Sequence, residues 1–447
     1  MVFKFKRTVE YGLEEVYGMG EIPPEDCPTY IERDAHQSFK YTVQHEEQHI
    51  VVYGASRQGK TWLIERFSPN FIRVGCDSKF TREGLFKAIL HELKVVVGEV
   101  QESSGNEVEL AMGASAKGNA SIPLVAKVGL EGKGEYKDKD LENRQVTYEN
   151  IDLTNQTEVI SAIKDTIGER FIVIENFHYL DSAVQKTFAS SLREFLYHEI
   201  RVIIVGVWKE TTKLTSLVSD LSNRVESIDI GDWNVGELKE IVNEGDKALK
   251  VKTDEVVKEL FIENSGRNVG IFKSLLKNYC KLCGVYSTQP DELYLNDIEK
   301  AKKAIDKSFD EVVYPAIDRV HKLASSRKSG GKGLRYYIIK AILDIMSVKT
   351  IDELIGGIVL LDIVKKIEEY DEEQFQPSNI KQELIQLHLR EETVEAEGSQ
   401  NVNFIPLFYF DRNKDRLFIV ESALFSACRS SKIKLNELLG PKADYVK

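Results

Sequence analysis

Eight consecutive residues, Gly54-Ala55-Ser56-Arg57-Gln58-Gly59-Lys60-Thr61, match the pattern G-x-x-x-x-G-K-[ST]. The glycines at 54 and 59 allow backbone conformations that gather successive N–H groups on one concave side. The helix expected to follow adds its unsatisfied N-terminal donors, so a polyphosphate meets several positive dipoles at once. Lys60 is of a length to reach β- and γ-phosphates, and the Thr61 hydroxyl suits Mg²⁺, which takes oxygen ligands shared with the nucleotide. Ser56, Gln58 and Trp62 complete the candidate nucleotide contacts. The flanks agree with this chemistry. His49 to Tyr53 is β-branched and apolar enough for a buried strand, and Trp62 to Phe67 continues as a helix.

Such a loop needs an acidic partner strand, and Arg170-Phe171-Ile172-Val173-Ile174-Glu175-Asn176 is the best candidate. Four apolar residues ending in a carboxylate predict a buried parallel strand whose C-terminal end opens on the ligand crevice. Glu175 would then hold Mg²⁺ or its waters, which makes Thr61 and Glu175 the candidate metal ligands.

With these two strings in place, the chain resembles the AAA+-like P-loop ATPases, particularly the signal-transduction branch called STAND and the origin-recognition ATPases. The strand Arg201 to Trp208 and the segment Asp220-Leu221-Ser222-Asn223-Arg224-Val225 add to the likeness, which covers roughly residues 25–285. The resemblance implies an α/β fold with a P-loop parallel sheet flanked by helices and then a helical lid, while the helix–helix–hairpin order of the C-terminal third resembles winged-helix modules. It places an adenine-side turn at Pro28 to Arg33, with Tyr30, Ile31 and Arg33 lining the base pocket. Arg224 matches an arginine that faces a γ-phosphate in its own or a neighbouring subunit, a role suited to a planar, always-charged fork. Arg267 falls where a second sensor residue is expected, although the family's Gly-x-Pro signature is not present there.

The family pattern ends the acidic strand in Asp-Glu, whereas this chain has Glu175-Asn176. An amide at 176 cannot take a proton from water as a carboxylate can, so slow hydrolysis is expected. His178 and Asp181 are the nearby alternatives, each readable equally as a loop or helix-cap residue. The expected catalytic set is therefore Lys60, Glu175, Asn176 and Arg224, with ATP and Mg²⁺ as cofactors. Related proteins serve as bacterial regulators or anti-phage sensors, a role implied by resemblance alone.

Composition bounds the rest. The 447 residues are 42% hydrophobic and 30% charged, with a net charge of −12, a globular balance that argues against a basic nucleic-acid coat. No apolar run reaches the roughly 18 residues of a membrane span, and Met1 to Lys6 is unlike a signal peptide, so the expected address is the cytoplasm. Five cysteines are too few for a disulfide framework; Cys280 and Cys283 form one C-x-x-C in a segment that reads as a helix.

Four regions are expected: an N-terminal segment at 1–45, the P-loop core at 46–230, a helical lid at 231–310, and a basic linker with a winged helix at 311–447. Within the core, 98–150 reads either as an extruded β-hairpin, from the small-residue alternation at Val108 to Lys117 and Ser121 to Tyr136, or as an irregular loop. Asn234 with Glu237 has the form of a reciprocal helix cap. In the last region Tyr336 to Met346, Leu360 to Tyr370 and Pro377 to Ile385 read as helices, and Ile405 to Phe410 with Arg416 to Val420 as a hairpin. Asn379, Lys381, Gln382 and Gln386 would face a DNA groove, but residues 375–447 carry ten basic and ten acidic side chains, a weak footprint for phosphate binding. Arg319 to Lys340 has seven Lys/Arg and no acid, so Arg327, Lys328 and Lys332 are the candidate DNA contacts. The leading expectation is an ATP-gated switch acting through a homo-oligomer or effector protein, and the second is a DNA-associated loader or regulator.

Overall fold

A computed structural model describes residues 10–97, 146–206, 221–325, 333–370, 375–396, 406–429 and 434–441, apart from positions 21, 25, 69, 78, 149–150, 222, 232 and 413. The expected hairpin at 98–150 and the candidates Arg327, Lys328 and Lys332 lie outside these residues, except that Val146–Tyr148 forms a parallel pair with Val95–Val97.

Five parallel strands form the central sheet: β1 (His49–Tyr53), β2 (Phe71–Gly75), β3 (Phe171–Glu175), β4 (Val202–Gly206) and β5 (Val225–Asp229), in the spatial order β2-β3-β4-β1-β5. The period-2 alternation of a strand divides their side chains between two cores. Val51, Tyr53, Ile172, Ile174 and Ile204 pack with the helices Arg82–Glu92, Gln156–Ile167 and Ser182–Tyr197. Ile50, Val52, Val173, Ile203 and Val205 pack on the other face with Asp34–His45 and Lys60–Phe67. Burial on both faces explains why these strands read as continuous apolar runs. Each fully buried Val or Ile contributes about 1.5–3 kcal/mol.

His49 is the polar exception in this sheet. It is fully buried, its Nε2 lies 2.8 Å from the Leu192 carbonyl, and its Nδ1 accepts the Val202 N–H at 3.1 Å. Burial pushes its pKa down to about 4, so the ring is neutral and bridges β1, β4 and the helix Ser182–Tyr197.

After β5 the chain turns helical, and the reciprocal cap is present: Glu237 N–H donates to Asn234 Oδ1 at 2.9 Å, and Asn234 N–H to Glu237 Oε2 at 2.8 Å. Helices Val235–Leu249, Glu255–Asn264, Val269–Leu282 and Ile298–Ser308 follow, tied by the short parallel pair Val251–Thr253 and Leu293–Leu295. A π-helical turn, Phe309–Val313, joins the last of these to Tyr314–Ala324. One hydrophobic core runs without interruption from Leu13 through these helices to Leu435, crossing position 310.

The C-terminal residues form helices Leu334–Val348, Ile351–Ile355, Leu360–Glu368 and Pro377–Ala396, then the antiparallel strands Phe408–Asp411 and Arg416–Ile419. Ile358–Val359 adds a third, edge strand that the local sequence did not announce. No described helix is long and apolar enough to cross a membrane.

Candidate functional site

The segment Ser56 to Trp62 bends over the C-terminal ends of the central strands and lines a cavity of about 660 Å³. Left-handed backbone at Gly59 (φ 95°) and Arg57 (φ 60°) turns the loop, and Gly54 is required because a Cβ there would meet the Gly231 backbone N at 3.0 Å. Lys60 opens the following helix, and its Nζ donates to the carbonyls of Gly54 at 2.9 Å and Ala55 at 2.7 Å. Burial lowers its pKa to about 8, while the charges of Glu175 and Asp229 act in the opposite direction.

Thr61, Glu175 and Asn176 share this cavity with Lys60. Glu175 ends β3, and its Oε1 lies 3.6 Å from Nε of Arg73 on β2, which also pairs with Glu65. Asn176 adopts a left-handed conformation, φ 58° and ψ 31°, that Asn tolerates better than most residues. The two alternatives at this end separate: His178 lines the cavity, whereas Asp181 caps the next helix by accepting the Ala183 N–H at 2.7 Å.

At the aromatic end the wall includes Tyr30, Ile31, His36, Trp62 and Trp233. Tyr30 and Trp62 lie nearly parallel, with ring centroids 6.3 Å apart and an interplanar angle of 17°. Trp62 Nε1 donates to the Gly20 carbonyl at 2.6 Å, and Gly18, Met19 and Gly20 join the cavity lining. His36 Nδ1 accepts the Arg33 N–H at 2.8 Å, and burial lowers its pKa to about 4.

Two expected placements, those of Arg33 and Arg267, are corrected, and of the two positions left open for Arg224 one is disfavoured. Arg33 does not form the cavity wall; its guanidinium stacks 4.1 Å over Trp233 and donates to the Ile230 carbonyl at 2.8 Å, fixing the turn between sheet and lid. Arg267 turns away because left-handed backbone at Gly266 and Arg267 aims it at Asp352, which it grips with both terminal nitrogens. Arg224 precedes β5, where its carbonyl accepts the His49 N–H at 3.0 Å. That contact puts it at the N-terminal edge of the sheet, about five residues or ~16 Å of strand from the P-loop, so it does not face the cavity of its own chain.

Lys273, which sequence reasoning missed, takes the inward position instead. It lies on Val269–Leu282 one turn from Val269 and Gly270, is 5% exposed, and places Nζ 4.6 Å from the Trp62 ring centroid. Burial lowers its pKa to about 8. The only sequence signal was the i, i+3, i+4 spacing of Val269, Gly270, Lys273 and Ser274, which an ordinary amphipathic core helix shares.

The same arrangement of parallel sheet, loop and helices occurs in the Walker-type ATPase PABY2304 of Pyrococcus abyssi, at 12% identity and a TM-score of 0.50 over 90% of this chain and 96% of that one. This chain has the fold of a Walker-type P-loop ATPase. The Aeropyrum pernix ORC1 protein, solved in complex with DNA, matches at 9% identity and a TM-score of 0.40 over 97% of this chain and 100% of that one. The Aeropyrum pernix ORC2 protein matches at 11% and 0.42 over 94% and 97%. No family model and no curated protein matches the sequence. Within the P-loop ATPase fold, the cavity between sheet and lid is where phosphate donors, an acidic strand end and an aromatic wall converge.

Proposed function

We propose that this chain is an ATP-binding switch that holds Mg²⁺ and ATP and hydrolyses the nucleotide slowly. The observation that carries this reading is Asn176 at the end of β3, in the cavity beside Glu175, where water activation calls for a carboxylate. In this reading the N–H groups of Ser56 to Gly59 and the Lys60 ammonium bind the phosphates, and Tyr30, Ile31, Trp62 and Trp233 enclose the base. The Thr61 hydroxyl and Glu175 carboxylate form a hard-oxygen set that fits Mg²⁺, which supplies charge neutralisation on the phosphates when bound. Because Arg224 lies outside its own cavity, a role at a triphosphate requires a neighbouring copy, so we place it in a homo-oligomer. A regulatory role, including one in bacterial defence, agrees with slow turnover. Steady-state ATP turnover tests the reading: values far below ~10 s⁻¹, the median for enzymes, are expected, and turnover at or above that level rules it out.

The DNA reading receives less support. Among the described residues of the basic segment, Arg319 pairs with Glu421 at 3.2 Å, Arg335 with Glu383 at 2.9 Å, and Lys340 lies 4.6 Å over Tyr370. Lys381, expected in a groove, pairs with Asp415 at 2.6 Å, while Asn379, Gln382 and Gln386 are exposed. Salt-dependent duplex binding lost on neutralising Arg327, Lys328 and Lys332 would favour the DNA-associated reading, and no binding at low salt would discard it.

A further inference from the structure

The apex of the P-loop is held from outside by two other parts of the chain. Asn268, fully buried, caps the helix Val269–Leu282 by accepting the Ile271 N–H on Oδ1 at 3.0 Å. That commitment fixes the amide, and Nδ2 then donates both of its hydrogens, to the Ser56 carbonyl at 2.7 Å and to Ser422 Oγ at 2.9 Å. Two residues further along, Gly270 N–H donates to the Arg57 carbonyl at 3.1 Å. A side chain at 270 would close this contact, since its Cβ would lie 2.7 Å from Cβ of Arg57.

A trans peptide points its C=O and N–H in opposite directions. Pinning the Ser56 carbonyl to Asn268 therefore aims the Arg57 N–H the other way, and pinning the Arg57 carbonyl aims the Gln58 N–H. Both residues line the cavity, and Arg57 is held in left-handed backbone. The lid thus orients two phosphate-facing donors from behind. Ser422 extends the chain of contacts to the helix Ala423–Arg429. It is 1% exposed, follows Glu421 in its ion pair with Arg319, and starts the helix Ala423–Arg429. That helix is seated backbone-close on the lid because Gly266 has no side chain; a Cβ there would meet Phe425 Cβ at 2.6 Å and Ser426 N at 2.8 Å.

We infer that Asn268 is a positioning residue through which the seating of the helix Ala423–Arg429, by way of Ser422, sets the nucleotide affinity of the P-loop. The inference rests on the cavity binding ATP, as proposed above. Neither Asn268 nor Ser422 forms the cavity wall, so they act through Ser56 and Arg57. Thermodynamic linkage makes the effect reciprocal: the factor by which docking strengthens ATP binding is the factor by which ATP strengthens docking.

The experiment compares the full-length wild type, Ser422→Ala and Asn268→Ala for Mg²⁺·ATP affinity by calorimetry, and for amide exchange of residues 423–429 with and without ATP. Ser422→Ala leaves the helix cap intact and so remains informative if Asn268→Ala folds poorly. The expected result is a three- to tenfold loss of ATP affinity in Ser422→Ala, with ATP-induced protection of 423–429 in the wild type and none in either variant. A purely structural loosening, as in Phe425→Leu, lowers protection equally with and without ATP. Wild-type affinity in both variants, or ATP leaving 423–429 unchanged in the wild type, overturns the inference. A wild type that binds ATP no better than Lys60→Ala overturns the nucleotide reading itself, and this inference with it.

Discussion

Lys273 Nζ stands 4.6 Å from the centroid of the Trp62 ring, so a buried ammonium on the lid faces the residue that directly follows the P-loop. The contact joins two segments more than two hundred residues apart in sequence across one cavity. The pairing gives Lys273 partial compensation for its burial, since an aromatic face attracts a cation by about 0.5–2 kcal/mol. It leaves a charge on the cavity wall that an anionic ligand would help to neutralise.

Lys273→Met therefore stabilises the protein without nucleotide and weakens ATP binding. Burial lowers the folded-state pKa to about 8 from an ordinary 10.5, so below pH 8 the fold carries the cost of a buried cation. Between pH 8 and 10.5 the unfolded chain binds the extra proton, and wild-type stability rises with pH. At pH 7 the variant should gain ~1–3 kcal/mol in denaturant titrations, with the difference shrinking as pH rises above 8. A variant less stable at pH 7 would show that the pairing with Trp62 outweighs desolvation.

Asn176→Asp should raise ATP turnover by about 10- to 100-fold, within the range of general acid–base effects. Aspartate also tolerates the left-handed backbone found at 176, whereas glutamate there would add roughly 1–2 kcal/mol of strain. Single-turnover kinetics with unchanged ATP affinity is the measurement, and an unaltered rate would remove Asn176 from the explanation of slow hydrolysis.

Acid should weaken the fold in a window set by histidines. His36 and His49 are held neutral, each with a pKa lowered to about 4 from 6.5. As pH falls from 6.5 toward 4 the unfolded state takes up protons that the fold refuses, so stability drops by up to ~1.4 kcal/mol per pH unit for each ring. Chemical denaturation at pH 7.5 and pH 5 should differ by a few kcal/mol; equal midpoints would mean that these rings protonate without unfolding.

Arg267→Ala should leave ATP affinity unchanged, because the guanidinium grips Asp352 rather than the cavity. Asp352 is exposed, so the loss of this surface pair should cost no more than about 1 kcal/mol. Titration calorimetry decides this, and a tenfold or greater loss of affinity would return Arg267 to the nucleotide site.

The features legible in the sequence were those written locally. The P-loop octapeptide, the apolar run ending in Glu175 and the Asn234–Glu237 cap each lie within eight residues, where pattern and chemistry coincide. What was not legible depended on distant segments meeting. Lys273 and Arg267 are six residues apart, and only the left-handed turn at Gly266–Arg267 decides that the lysine faces Trp62 while the arginine faces Asp352. Trp233 and His36 likewise enter the cavity because Arg33 binds both, stacking on one ring and donating its backbone N–H to the other. Strand order and the placement of Arg224 at the far edge of the sheet required the tertiary fold.

The most direct test is the nucleotide retained after brief incubation with Mg²⁺ and ATP followed by rapid gel filtration, for wild type and Lys60→Ala. The account predicts wild-type protein eluting with close to one nucleotide per chain, chiefly unsplit ATP, and Lys60→Ala eluting without nucleotide. Wild type eluting bare, or Lys60→Ala retaining as much as wild type, would contradict it.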